Sequence, residues 1–375
     1  VLLQNKKNVL PVDASKLKRV LVVGENAVKR MTVGGGSSSL KAKYEVSPLE
    51  GIKARLGDGA EVIYSPGYAS PAVKEQDVLG AEEPDKMEID ADALRNDAVK
   101  WAKDADVVFF VGGLNKNDGQ DCEGNDRSSL SLPYEQDQLI AELAKANPNT
   151  VVVIISGNAV AMPWVKQVPA IVEAWYSGTE AGNALASILF GDVNPSGKLP
   201  FTFPARLEDN GAHALGEHPG DSINVKYNES IFVGYRWADK QKKTKPLFAF
   251  GHGLSYTTFA YGKATATKKS LTADETITFT VPVKNTGSRE GSEVVQLYIG
   301  DKKSALPRPI KELKGFSKVK LAPGEEKMVS FTIDKTDLSY YDDTQNRWVA
   351  EPGAFEAFVG ASSADIRSTV SFELK

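Results

Sequence analysis

Short apolar runs alternate with amphipathic stretches from Lys18 to about Pro204. Five runs are almost continuously apolar, rich in β-branched residues and followed or ended by Gly or Ser, namely RVLVVG (19–24), VIYS (62–65), DVVFFVGG (106–113), TVVVIISG (150–157) and AIVEAWY (170–176). Continuous apolar runs are typical of parallel strands, because helices cover both faces of such a sheet. The pattern therefore predicts an α/β three-layer αβα sandwich with a mostly parallel sheet over residues 1–204.

Two of the intervening stretches place apolar residues at three- and four-residue spacing, which predicts amphipathic helices. They read ALRNDAVKWAKDA (93–105) and LPYEQDQLIAELAKANP (132–148). Pro133 lies near the start of the second stretch, and proline suits the first turn of a helix. We expect that helix to begin at this proline.

The composition changes after residue 204. Residues 205–260 are rich in Gly, His, Pro, Asn and Lys, and their only sustained apolar stretch is SIFVGYRW (230–237), which indicates a long connection packed on its neighbours. Beyond Phe259, apolar residues alternate with period two in TITFTVPVKNTG, SEVVQLYIGD, KMVSFTID, RWVAEPG and AFEAFVGA. Such alternation without intervening helices predicts an all-β, immunoglobulin-like sandwich over residues 261–375.

The overall composition excludes several classes of partner. The 375 residues carry a formal net charge of −4, and no basic run is longer than KQKK at Lys240. No electrostatic footprint for nucleic acid or an anionic membrane is present, so a neutral or small polar partner fits better. The longest apolar runs are also far shorter than the roughly 20 residues that a bilayer span requires.

Few residues suit metal or cofactor chemistry. Cys122 is the single cysteine, and the chain has three histidines, so an internal disulfide or a cysteine-rich metal site is not expected. Gly24 stands alone after the first apolar run, without the GxGxxG fingerprint of a dinucleotide site. The sequence also lacks the GxSxG elbow of a serine hydrolase. It therefore predicts neither a metal nor a cofactor.

The candidate chemistry lies in one loop. The segment GGLNKNDGQDCEGNDRSSLSLP (112–133) follows the third apolar run and contains Asp118, Asp121, Glu123, Asp126 and Arg127. Ligands of open α/β sheets bind outside the carboxyl ends of the strands. The carboxylates therefore suit general acid/base catalysis, although a solvated turn is an equal alternative. A calcium loop fits less well, because the spacing differs from that of an EF-hand.

The order of segments is more specific than any one motif. Six blocks follow one another, namely VLLQNKKNVLP, GGGSSSLKAKYEVSPLEGI, CEGNDRSSLSLPYEQDQLI, SGNAVAMPWVKQVPAIVEAWYSGTEAGNALASILFGDVNPSGKLPFTFP, IFVGYRW and FAFGHGLSYTTF. Together they resemble the C-terminal portion of family 3 glycoside hydrolases of the β-glucosidase or β-xylosidase type. The resemblance implies an αβα sandwich domain followed by a fibronectin type III-like domain.

The resemblance also assigns roles. Members of the β-glucosidase type carry their general acid/base in a segment similar to EGxDR, which corresponds here to Glu123 and the four residues after it. Asp121 is the competing carboxylate. Further residues are expected to order the loop or to approach the substrate, and these are Asp126, Arg127, and Gly35, Gly36, Ser37 and Ser38 of the loop at 34–38.

The implied reaction is the hydrolysis of terminal β-D-glucosyl or β-D-xylosyl residues with retention of configuration, without a cofactor. The family's nucleophile is an Asp on a preceding (β/α)8 barrel, so the expected partners are a carbohydrate substrate and an N-terminal barrel of the same protein. A homodimer of this protein is a further expected partner arrangement. The alternatives are a non-catalytic carbohydrate-binding or scaffold fragment and a β-glycoside phosphorylase.

The first residues bear on localisation. The chain opens at VLLQNKKNVLP, without an initiator Met or the basic and apolar pattern of a secretory signal, so we expect a larger polypeptide to precede it. The family resemblance implies a periplasmic or secreted protein, and an isolated chain that is nearly inactive.

Overall fold

The structure, a computed structural model, describes residues 1–32, 41–68, 70, 90–115, 120–121, 127–221, 223–241 and 244–375. The chain forms two compact units. The first unit comprises residues 2–193, and the second comprises residues 194–375 together with Val1. No helix in the described ranges has the length and apolar character that a bilayer crossing requires.

The described part of the first unit contains six strands and four α-helices. The strands are β1 Leu2–Asn5, β2 Arg19–Val23, β3 Glu61–Ser65, β4 Val107–Gly113, β5 Thr150–Ile155 and β6 Ala170–Glu173. The helices are α1 Pro48–Leu56, α2 Ala91–Asp104, α3 Gln136–Ala146 and α4 Ala181–Leu189.

One sheet joins the strands in the order β1-β6-β5-β4-β2-β3. Every pairing is parallel except that of β1 with β6, so the predicted mostly parallel sheet is confirmed. All residues of β4, β5 and β6 are buried, which explains their continuously apolar sequences. Helices α1 and α4 pack together, as do α2 and α3.

The edge strand β1 was not predicted as a strand. It has only four residues, which is too short for a periodic pattern to be recognised. It pairs antiparallel with β6, with Asn5 opposite Ala170. A short antiparallel edge strand of this kind is common on otherwise parallel sheets.

Helix α3 begins later than its sequence indicated. The expectation that it starts at Pro133 is wrong, because Tyr134 and Glu135 adopt left-handed φ angles of 57° and 55°. The helix starts at Gln136, whose N–H donates to the carbonyl of Pro133 at 3.3 Å. Its buried side chain turns back to the sheet.

That side chain fixes the end of β4. Gln136 Oε1 accepts from Gly113 N at 2.8 Å, and Gln136 Nε2 donates to Gly113 O at 2.9 Å. Gly113 has a φ of 116°, and a Cβ on it would lie 2.3 Å from the carbonyl oxygen of Ile155. Only glycine fits this approach of β4 to β5. The start of the 114–133 segment is therefore held in a fixed position.

The described residues of the second unit form three short α-helices and a larger set of strands. The helices are α5 Gly211–Ala214, α6 Tyr235–Lys240 and α7 Lys335–Leu338. The strands are β7 Phe259–Tyr261, β8 Thr265–Ala266, β9 Ser270–Leu271, β10 Ile277–Asn285, β11 Gly291–Asp301, β12 Glu312–Leu321, β13 Glu326–Ile333, β14 Tyr340–Asp342, β15 Arg347–Val349, β16 Gly353–Ser362 and β17 Asp365–Leu374.

These strands form two packed sheets and a separate hairpin. One sheet has the order β13-β10-β7 with β8 beside β10, the other has the order β12-β11-β16-β17-β9, and β14 pairs with β15. Inward-facing residues of both sheets, among them Phe279, Leu297 and Phe355, share one buried core. The strand β10 shows the expected alternation, since every second residue from Ile277 to Asn285 is buried. The predicted all-β sandwich is confirmed.

Polar contacts fasten residues 235–251 to the sandwich within the second unit. Lys311 Nζ lies 2.6 Å from Asp239 Oδ2, and both side chains are mostly buried. Burial raises the pKa of Asp239, and Lys311 acts against that rise. Gln296 Nε2 donates to the carbonyl of Gly251 at 3.2 Å. The predicted connection therefore forms part of one compact body with the strands.

The buried pair yields a stability prediction. Asp239→Ala should lower the free energy of unfolding of the second unit by about 3 kcal/mol, because the Lys311 ammonium then stays buried without its partner. Adding Lys311→Met should recover part of that loss. Urea denaturation followed by circular dichroism measures both effects. Glu275→Ala removes one partner of a more exposed ion pair and serves as the control. The interpretation fails if Asp239→Ala is no more destabilising than Glu275→Ala.

Candidate active site

The predicted site residues divide into two groups. Asp121 and Arg127 are described by the structure and lie beyond the carboxyl end of β4. The other predicted residues lie outside the described residues, and these are Glu123, Asp126, Gly35, Gly36, Ser37 and Ser38. The two described residues lie directly before and directly after the interval 122–126. Their contacts therefore show where the chain enters and leaves that interval.

The segment after β4 closes on itself. Asp121 N donates to the carbonyl of Asn115 at 3.1 Å. Gln120 Oε1 accepts from Asn115 N at 2.9 Å, and Gln120 Nε2 donates to the hydroxyl of Tyr134 at 2.9 Å. These bonds return the chain at residue 120 to the end of β4. Asp121 is thereby brought to the carboxyl edge of the sheet.

The Asp121 carboxylate accepts three hydrogen bonds from the ends of β5 and β6. Its Oδ2 accepts from Gly157 N at 2.6 Å and from the Tyr176 hydroxyl at 2.9 Å. Its Oδ1 accepts from Asn158 Nδ2 at 3.0 Å. Charge-assisted bonds of this kind are stronger than neutral ones. Asp121 therefore ties three neighbouring strand ends together.

Arg127 contacts the same turn from the other side of the interval. Its Nη2 donates to the carbonyl of Ala159 at 2.7 Å. Its Nη1 is buried and has no hydrogen-bond partner among the described residues. Burial lowers the pKa of the guanidinium, whereas the charge of Asp121 acts in the opposite direction. Residues 121 and 127 are thus both attached to the 157–159 turn.

A hollow of about 260 Å³ lies beside Arg127 in the first unit. Its walls carry three serine hydroxyls and one guanidinium. The lining residues are Leu114, Gln120, Arg127, Ser128, Ser129, Ser131, Leu132 and Pro133. Hydroxyls and a guanidinium can bind the hydroxyl groups of a small polar ligand. An apolar wall with a few convergent polar groups is the usual composition of a ligand site.

Glu173 and Tyr176 are site residues that the sequence reasoning missed. Glu173 is fully buried at the end of β6, and its Oε1 accepts from Trp175 N at 3.1 Å. Burial raises its pKa to about 8, against the hydrogen bonds from Trp175 and Ser156. Burial also raises the pKa of Tyr176, and the Asp121 charge adds to that rise. The signal was a lone carboxylate within the apolar run AIVEAWY.

The described residues do not form a metal centre. No group of three His, Cys, Asp or Glu side chains within them is arranged to hold an ion. Among the described residues, this edge offers the Asp121 carboxylate with its three donors, the half-buried guanidinium of Arg127, and the buried carboxyl group of Glu173, whose pKa is raised. Such an edge can fix a loop in place and bind hydroxyl groups.

Comparisons with known families account for both units. Residues 1–256 match the model of the glycosyl hydrolase family 3 C-terminal domain. Residues 293–363 match the model of the fibronectin type III-like domain. The αβα sandwich and the β-sandwich are the two folds that the sequence predicted.

Curated relatives match almost the whole chain. Beta-glucosidase BoGH3A of Bacteroides ovatus is 54% identical over 368 residues, which are 97% of this chain and 48% of that protein. Thermostable beta-glucosidase B of Acetivibrio thermocellus is 42% identical over 366 residues, which are 98% of this chain and 46% of that protein. The chain therefore spans about half the length of these relatives.

Solved structures match over the full chain. A GH3 beta-glucosidase of Bifidobacterium adolescentis has a TM-score of 0.85 and 36% identity, and the match covers 100% of this chain and 51% of that one. DesR, a beta-glucosidase from Streptomyces venezuelae in complex with D-glucose, has a TM-score of 0.88 and 32% identity, with 100% and 58% covered.

The buried carboxyl group yields a pH prediction. The pKa of Glu173 is about 8 in the folded state against 4.5 for an ordinary Glu, so between these values the folded state binds the extra proton. Its stabilising contribution is full below pH 4.5 and is lost as the pH rises toward 8, by about 1.4 kcal/mol per pH unit. Glu173→Gln should remove this dependence of the free energy of unfolding on pH.

Urea denaturation of both proteins at about pH 5 and about pH 7.5 measures the slope. The wild type and Glu173→Gln share all other titrating groups, so the contributions of those groups to the pH dependence cancel in the comparison. Parallel loss of stability in the wild type and in Glu173→Gln would contradict the assignment.

Proposed function

Since the chain belongs to glycoside hydrolase family 3, we propose that it supplies the general acid/base of a retaining, exo-acting β-glycosidase. The substrates are carbohydrates with terminal β-D-glucosyl or β-D-xylosyl residues. The observation that supports the proposal is the attachment of Asp121 and Arg127, which flank the interval 122–126, to one turn at the carboxyl edge of the sheet. The names of the relatives, which are beta-glucosidases, support the glucosyl preference.

Glu123, and not Asp121, transfers the proton. Among the described residues, three donors contact the Asp121 carboxylate, and they occupy both of its oxygens. A general acid needs its proton free to reach the leaving oxygen. Asp121 is instead suited to hold the loop, two residues before Glu123, against the ends of β5 and β6.

The reaction requires a second carboxylate. Retaining glycosidases place two carboxyl groups about 5 to 5.5 Å apart, one attacking the anomeric carbon while the other first protonates the leaving oxygen and then activates water. The attacking group is an Asp of the N-terminal (β/α)8 barrel in the full-length protein. Isolated, the present chain is nearly inactive, because it lacks that nucleophile.

The remaining site residues surround the sugar. Arg127 and the serine hydroxyls of the adjacent hollow bind sugar hydroxyls. Asp126 and the loop residues Gly35, Gly36, Ser37 and Ser38 approach the same pocket. No cofactor takes part.

The proposed roles correspond to three consecutive parts of the chain. Residues 1–204 form the acid/base domain, residues 205–260 form a connection, and residues 261–375 form the fibronectin type III-like domain. A periplasmic or secreted location suits an enzyme that acts on external carbohydrate.

The acid/base assignment is tested in the full-length protein with Glu123→Ala. Hydrolysis of β-glucosides with poor leaving groups should fall by about 10² to 10⁴, because the leaving oxygen is no longer protonated. Substrates with good leaving groups should lose much less. With good leaving groups, for which breakdown of the glycosyl intermediate limits the rate, azide should restore part of the rate and give the glycosyl azide, since this anion attacks the anomeric carbon without a general base.

Asp121→Ala is the matched control, because it removes the competing carboxylate of the same loop. Azide should not rescue this variant. Rescue of Asp121→Ala together with an unaffected Glu123→Ala would transfer the role to Asp121.

The anchoring of the loop is tested with Tyr176→Phe, which removes one of the three bonds to Asp121. We expect kcat for poor leaving groups to fall about tenfold, because a hydrogen bond to a charged group contributes about 1.5 to 3 kcal/mol. Activity toward good leaving groups should change little. Tyr64→Phe on the edge strand β3 is the control. Equal losses for both kinds of substrate would indicate a general structural defect and would contradict a positioning role.

A further inference from the structure

Exposed apolar side chains concentrate in one short segment of the second unit. Ile223 is 90% exposed and Tyr227 is 77% exposed, Val225 and Val233 are also more than half exposed, and Ile231 is 45% exposed. All five lie within eleven residues, here called the docking segment (223–233). Scattered exposed apolar residues are normal, whereas a concentration of them marks an interaction surface.

The backbone of the docking segment is ordered by its own hydrogen bonds. Asp221 Oδ1 accepts from Ile223 N at 3.0 Å and from Asn224 N at 2.6 Å. Ser230 N donates to the carbonyl of Tyr227 at 2.8 Å. These turns hold the apolar side chains outward, and the residues that the structure describes leave them exposed. A preformed surface of this kind loses little conformational entropy on binding.

Binding of a polar or charged ligand would not explain the exposed apolar side chains of the docking segment. The charged residues of the docking segment are Lys226 and Glu229, and Lys226 lies between the exposed apolar side chains of Val225 and Tyr227. Burying one such side chain contributes about 1.5 to 3 kcal/mol. The chemistry fits an apolar protein surface better than a sugar, a nucleic acid or an ion.

We propose that the docking segment packs against the N-terminal half of the full-length protein. The family model matched by residues 1–256 is that of a C-terminal domain, and the chain spans 48% of one relative and 46% of another. About half of each relative lies outside the region that matches this chain. A corresponding N-terminal half of the full-length protein could cover the docking segment. The inference rests on the proposed two-part organisation and is independent of the role of Glu123.

Thiol labelling tests the proposal. Val225→Cys is prepared in the full-length protein and in the 375-residue chain, and each is treated with N-ethylmaleimide while peptide mapping follows modification at position 225. Labelling should be at least about tenfold slower in the full-length protein, since buried thiols are shielded from reagents. Met328→Cys, at a similarly exposed position on β13, is the control and should react equally in both.

Equal labelling of Val225→Cys in both proteins would overturn the proposal. A second outcome would also overturn it. If labelling of the 375-residue chain slows with rising protein concentration while the full-length protein stays fully reactive, copies of the chain cover the docking segment in place of the N-terminal half. Neither outcome depends on catalysis, so failure here is distinguishable from failure of the acid/base assignment.

Discussion

The carboxylate of Asp121 is the contact on which the arrangement of the candidate site depends. It accepts hydrogen bonds from a backbone amide and a side-chain amide after β5 and from a phenol after β6, while its own chain leaves β4. Three adjacent parallel strands are thus joined at the edge where ligands of such sheets bind. Without that carboxylate, Arg127 would be the one described residue flanking the interval 122–126 whose side chain is still hydrogen-bonded to the 157–159 turn.

The surrounding structure makes this contact possible. The buried strands β4, β5 and β6 fix the positions of their ends, and Gly113 allows β4 to approach β5 closely. Gln136 then holds the end of β4 with two hydrogen bonds. The nearby carboxyl group of Glu173 remains protonated at neutral pH because it is buried. It therefore adds no second negative charge beside Asp121.

Much of the fold was predictable because burial leaves a clear pattern in the sequence. Continuous apolar runs identified β2 to β6, and period-two alternation identified the sandwich. The start of α3 was not predictable, since the left-handed conformations of Tyr134 and Glu135 have no local signal. For the site, the sequence indicated the loop but not its attachment. Tyr176 and Asn158 are distant from Asp121 in sequence and meet it only through the strand order.

A structure of the full-length protein with a bound, unreactive β-glucoside would test the central claim most directly. The account predicts that Glu123 lies within hydrogen-bond reach of the glycosidic oxygen, about 5 to 5.5 Å from an Asp of the N-terminal half, while Asp121 keeps its bonds to the 157–158 turn. A glycosidic oxygen in contact with Asp121, with Glu123 directed into solvent, would contradict it.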